Sequence, residues 1–105
     1  MTLPFSLMFN LKEKQMEKEV FKTFVALVPK SSHWTYYDCT QNLACSWSVK
    51  EMKDEMPQGS KLVRLGNFEG ALANGQDLSK YHIRFVDIMV NENDYVFDKI
   101  KCDRL

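Results

Sequence analysis

The stretch from Asn10 to Pro29 constrains this chain more than any other, because stop signals bound it and an apolar stripe runs between them. Asn10 suits an N-cap: its side-chain oxygen can accept from first-turn N–H groups that lack helical partners. Glu13 stands three residues on, so Asn10-Leu11-Lys12-Glu13 has the layout of a capping box. Pro29 cannot continue a helix and disfavours helical geometry at Val28. Between them Met16, Val20, Phe21, Phe24, Leu27 and Val28 recur at offsets of three and four, while Lys12, Lys14, Glu17, Lys18, Glu19 and Lys22 cover the other side. This spacing predicts an amphipathic helix over 11–28, buried chiefly at its Phe24–Val28 end. Glu13, Glu17 and Glu19 dilute the positive face, which argues for a core helix over a membrane-surface one.

Such a helix needs a surface to lie on, and the flanking sequence reads as strands. Residues 3–11 alternate, with Leu3, Phe5, Leu7, Phe9 and Leu11 on one side, as in a half-buried strand. His33 to Cys39 is rich in aromatic and β-forming residues, and Leu43 to Val49 follows across Thr40-Gln41-Asn42. If Cys39 faces Ala44, then Tyr36 faces Trp47 and Trp34 faces Val49. Ser48 and Glu51 form a second capping-box pattern, opening a short helix from Val49 to Met56. Lys61 to Leu65 resumes a strand pattern. Gly66, Gly70 and Gly75 punctuate a segment that reads as a strand end and a long loop reaching Ser79. Tyr81 to Cys102 reads as a hairpin turning at Asn91-Glu92-Asn93-Asp94. Pairing Val90 with Val96 sets Asp87 opposite Lys99 and places Phe85, Met89 and Phe97 on a half-apolar outer face.

The order strand, helix, strand, strand, short helix, strand is a split βαβ, or ferredoxin-like, arrangement with an added C-terminal hairpin. It implies an α+β fold with helices on one face of an antiparallel sheet. The alternative is a cystatin-like helix wrapped by a curved sheet. A chain of 105 residues fits one domain, 1–105.

Composition excludes several functions. The 14 basic and 14 acidic residues cancel, so there is no global excess of charge to neutralise phosphates, and nucleic acid is not an expected partner. Cys39, Cys45 and Cys102 are odd in number and lack a CxxC pair, which argues against a disulfide framework or structural zinc and for a reducing, cytoplasmic setting. Met1 to Phe9 is apolar but short and lacks a basic region, so it does not read as a signal peptide. No stretch approaches the length of a membrane span.

Motifs of catalysis are missing. His33 and His82 have no HxH or HExxH context, and two scattered imidazoles are the simpler reading. Gly66-Asn67-Phe68-Glu69-Gly70 matches neither a Walker nor a Rossmann loop. No cofactor, metal or catalytic residue is expected, and an enzyme is not the first reading. That reading is a small protein-binding module: an inhibitor, an antidote-type binder or a small subunit, with self-association an option. Trp34, Tyr36, Trp47, Phe85, Met89 and Phe97 are its candidate contact residues, since aromatic residues and Met are enriched at interfaces. Two alternatives stand beside it. One is a dimeric ligand-binding domain or small enzyme with a pocket between helix and sheet. The other is nucleic-acid binding on the sheet face, which requires Arg64, Lys80, Arg84, Lys99 and Lys101 to converge.

Overall fold

A computed structural model of the chain describes residues 18–32, 44, 45 and 47–105, with 44 and 45 described by backbone alone. The strands expected over 3–11 and 33–39 lie outside these residues. The described elements are β1 (Glu19–Pro29), β2 (Ala44–Cys45), α1 (Val49–Glu55), β3 (Lys61–Arg64), α2 (Leu65–Ala73), β4 (Tyr81–Asn91) and α3 (Glu92–Val96). They form an α+β arrangement on a three-stranded antiparallel sheet, β4-β1-β3, with the two-residue β2 parallel to β4 at its outer edge.

The principal correction concerns the central helix. Its described part, from Glu19 on, is a strand, so the helix on which both the split βαβ order and the cystatin-like wrap depended does not form there. The reason lies in the covering of both faces. β1 is the middle strand, and Phe24, Val25, Ala26, Leu27 and Val28 are all buried. A strand buried on both faces loses its alternation and shows a continuous apolar run, which periodicity cannot tell from a buried helix. Val20, Phe21, Thr23, Phe24, Val25 and Val28 are β-branched or aromatic, and they favour the strand. β1 pairs along its whole length with β4, from Glu19 opposite Asn91 to Pro29 opposite Tyr81. Backbone bonds extend the pairing at both ends, Lys30 N–H to the Lys80 carbonyl at 2.9 Å and Glu92 N–H to the Lys18 carbonyl at 2.9 Å.

The two faces of β1 feed two halves of the core. On one, Phe24, Ala26, Leu62, Val86, Ile88 and Val90 pack with Val49 and Met52 of α1. On the other, Val25, Leu27, Val63, Leu78 and Tyr81 pack with Phe68 of α2.

α1 starts where the capping box placed it. Ser48 Oγ accepts from the Glu51 N–H at 3.1 Å, and the Glu51 carboxylate accepts from the Ser48 N–H at 2.9 Å. Val49 therefore begins a helix and does not end a strand; Trp34, its expected partner, lies outside the described residues. α2 replaces the start of the expected loop. Gly66 and Gly70 weaken it locally, but Phe68 and Ala71 dock into the core. It ends in a Schellman motif, with Gly75 at φ 78°, its N–H on the Leu72 carbonyl and the Gln76 N–H on the Ala71 carbonyl.

The second arm of the C-terminal hairpin does not form. Asn91 is the N-cap of α3, its Oδ1 accepting from the N–H groups of Asn93 at 3.0 Å and Asp94 at 3.1 Å. Turn residues and helix-start residues are the same types, and here the helix start prevails because β4 already has β1 as its partner. Tyr95 of α3 stands edge-on to Phe24 at 6.1 Å, with the Arg64 guanidinium 3.7 Å from the Tyr95 ring centroid.

Candidate functional site

α2 covers its face of the sheet toward the Val25, Leu27 and Tyr81 end. At the other end no described element packs over the same face. Strand alternation puts Phe21 and Thr23 of β1 there, beside Phe85, Asp87 and Met89 of β4, while Val86, Ile88 and Val90 point into the opposite core. Phe21 is 47% exposed, Phe85 41% and Met89 40%, whereas Val86, Ile88 and Val90, which alternate with the last two along β4, are buried. Phe21 is directly opposite Met89. Thr23 is directly opposite Asp87, and its hydroxyl donates to Asp87 Oδ1 at 2.6 Å. Phe85 meets Phe68 of α2 edge-on at 5.8 Å, which fixes its ring at the margin of the covered region. The result is an exposed apolar rim on two strands paired with each other along their length, with a half-buried carboxylate in the middle.

Of the residues expected to make contacts, Phe85 and Met89 are therefore brought together. Phe97 is not placed beside them by strand pairing; it is the C-cap of α3 and is 67% exposed. Trp47 packs partly buried against the α1-side core, on the opposite face from Phe85 and Met89. Trp34 and Tyr36 lie outside the described residues. Phe21 and Thr23 escaped the sequence reading, which placed Phe21 in a helical core stripe. The run of β-branched and aromatic residues from Val20 to Val28 was the signal that could have found them.

Comparison with protein-family models, with curated proteins and with solved structures finds no match for this chain. What the surface can do must come from its own chemistry. Among the described residues no group of three or more His, Cys, Asp or Glu side chains is placed to hold a metal ion. Among them also, no helix is long and apolar enough to cross a membrane. His82 is exposed on β4. Cys102 is half-buried, and burial pushes its thiol above the ordinary value, with Arg64 opposing and Asp98 and Asp103 reinforcing the shift.

The basic residues named for a nucleic-acid face are dispersed. Lys80 precedes the first residue of β4, and Lys101 borders a groove with Met89 and Asn91 at its far end. These positions are separated by most of an eleven-residue strand, on the order of 30 Å. Arg64 is held by Tyr95 and by Asp98, whose Oδ1 lies 3.1 Å from Nη1. The groove at Lys101 is a second concavity, about 430 Å³, between α1 and the end of β4. Val49, Val90 and Ile100 form its apolar wall, and Lys50, Lys53, Asp54 and Lys101 its rim, where Lys50 pairs with Asp54 and Lys53 with Asp103.

Proposed function

We propose that the chain is a non-enzymatic protein-binding module that docks its partner on the open end of the β1–β4 face. The observation that carries this reading is the alignment of Phe21, Phe85 and Met89 on one solvent-facing patch of paired strands. Scattered exposed apolar residues need no explanation, whereas three on one face of two paired strands, two of them directly opposed, mark an interaction surface. Aromatic residues and Met are the types enriched at such surfaces. An inhibitor, an antidote-type binder or a small subunit of a complex would each use a face of this kind.

The test compares the full chain with a Phe21→Thr, Met89→Thr double variant. Threonine keeps the strand preference while removing the apolar surface. A host partner retained by the wild type and lost by the variant, at unchanged melting temperature, supports the reading. Equal retention by both chains would sink it.

The groove between α1 and β4 favours a second reading, a small-ligand domain. Its volume, about 430 Å³, lies within the range of small-molecule pockets. A thermal-shift screen of apolar carboxylates, repeated on Lys101→Gln, distinguishes it: stabilisation that depends on Lys101 supports the ligand reading, and no stabilisation removes it.

A further inference from the structure

We infer that the partner of this face seats a lysine or arginine side chain on Asp87, with apolar residues to either side of that cation. The inference rests on the docking role proposed for the face and specifies the chemistry it accepts.

Asp87 is a poor choice for a mid-strand position on folding grounds alone. Aspartate is disfavoured in strands, and a carboxylate drawn partly out of water costs stability unless it is paired. Asp87 is half-buried and receives one hydrogen bond, from Thr23 to Oδ1. Among the described residues Oδ2 has no donor, and no cation stands within ion-pair distance of either oxygen. Nearby cations are engaged elsewhere. Lys18 pairs with Glu92 at 3.2 Å. Lys22 projects from the other face and lies over the Tyr95 ring at 5.1 Å. Arg84 also belongs to that other face and donates to the Ile83 carbonyl at 3.2 Å.

The surroundings suit a cation with a long apolar stem. Phe85 and Met89 flank Asp87 along β4, each about 7 Å away, and Phe21 lies across from Met89. A lysine or arginine stem would pack on this rim while its head reached Oδ2. Seated there it would make a charge-assisted hydrogen bond, shielded from water by the rim. Phe21, diagonal to Asp87 across the strand pair, and Phe85, two residues along β4, are rings that such a cation can also approach. A neutral or acidic side chain at the same place would leave the carboxylate desolvated and unpaired, so the site discriminates as well as binds.

The test selects a random peptide library on the full-length chain and measures the selected peptides on Asp87→Asn and on Phe21→Thr. Asparagine keeps an acceptor for Thr23 and removes only the charge. The expected binders carry Lys or Arg between apolar residues, weaken on Phe21→Thr, and lose roughly tenfold or more in affinity on Asp87→Asn. Binders that need Phe21 but lack a cation, or are unmoved by Asp87→Asn, overturn the inference and leave the docking face standing. Binders indifferent to Phe21→Thr, or no enrichment at all, overturn both. Sedimentation of the chain alone adds one more outcome: a dimer that dissociates on Phe21→Thr but not on Asp87→Asn makes a second copy the occupant and overturns the cationic anchor.

Discussion

Asp103 and Leu62 exchange two hydrogen bonds across the outer edge of β3. The Asp103 N–H donates to the Leu62 carbonyl at 2.8 Å, and the Asp103 carboxylate accepts from the Leu62 N–H at 2.9 Å. The C-terminal segment thus serves one residue of β3 as a neighbouring strand would, at an edge that no other described strand pairs. Lys53 of α1 holds the second carboxylate oxygen at 3.3 Å, which ties the same point to the helix above.

Asp103→Ala is therefore expected to cost about 1–3 kcal/mol, because it strips a buried residue's N–H of its acceptor. Asp103→Asn retains an oxygen for Leu62 and loses only the part-exposed pairing with Lys53, a change of at most about 1 kcal/mol. Urea unfolding reads both as shifts of midpoint at constant slope. Equal loss in the two variants would show that the Leu62 bond is not what the carboxylate contributes.

The start of α1 carries a pH dependence of known sign. The Ser48 backbone N–H and then its hydroxyl hold the Glu51 carboxyl below its ordinary value of 4.5, with Lys50 assisting against a small opposing effect of burial. A carboxyl lowered in the folded chain adds stability above its unfolded value, and that stability is lost as pH falls through the folded value. The expected outcome is a wild-type urea midpoint that falls more steeply on acidification below about pH 4.5 than that of Glu51→Gln, which has no proton to gain. Parallel curves for the two chains would remove Glu51 from the acid response.

How much of this was legible depends on whether the deciding partner was local. The capping box was readable because Ser48 and Glu51 satisfy each other three residues apart, whatever the rest of the chain does. β3 and the inward alternation of β4 were readable for the same reason: Val86, Ile88 and Val90 announce a buried face. The partner of β4 was not. A neighbouring segment is the default partner for a strand, and Val96 to Cys102 had the composition for it. The true partner, β1, lies some sixty residues earlier, and Asp87 consequently faces Thr23 instead of Lys99. The candidate site divides along that line. Phe85 and Met89 could be found from the alternation of one strand, whereas Phe21 and Thr23 required knowledge of which strands meet. α2 was hidden differently, since Gly66 and Gly70 depress its local preference and the docking of Phe68 and Ala71 restores it.

Cys102 offers a chemical check on the C-terminal segment. Its thiol is raised by burial against the α1-side core, so its thiolate fraction at neutral pH is below that of an exposed cysteine. The thiolate is the nucleophile, so iodoacetamide should modify Cys102 several-fold more slowly than a free thiol at the same pH. Site-resolved mass spectrometry of the native chain measures this. Labelling at the free rate would mean that residues 100–105 do not pack as described.

The strand character of β1 has a test that its most buried residue cannot supply. Phe24 is inside whether residues 19–28 are helix or strand, so its truncation is damaging either way. Phe21 and Val25 separate the two. At helical spacing Phe21 belongs to the apolar stripe with Phe24, and Val25 lies at the stripe's margin, just beyond Phe21. In the strand, Phe21 opens to solvent at 47% exposure while Val25 is 0% exposed, packed among Leu27, Val63 and Phe68. Val25→Ala is expected to cost about 2 kcal/mol, the transfer of two methyl groups plus the cavity they leave. Phe21→Ala should cost no more than about 1 kcal/mol, since solvent already reaches half of the ring. Urea midpoints of the two single variants, each checked for an unchanged slope, give the ranking directly. If Phe21→Ala proved the more damaging, β1 would not be a strand, and the docking face that depends on it would go with it.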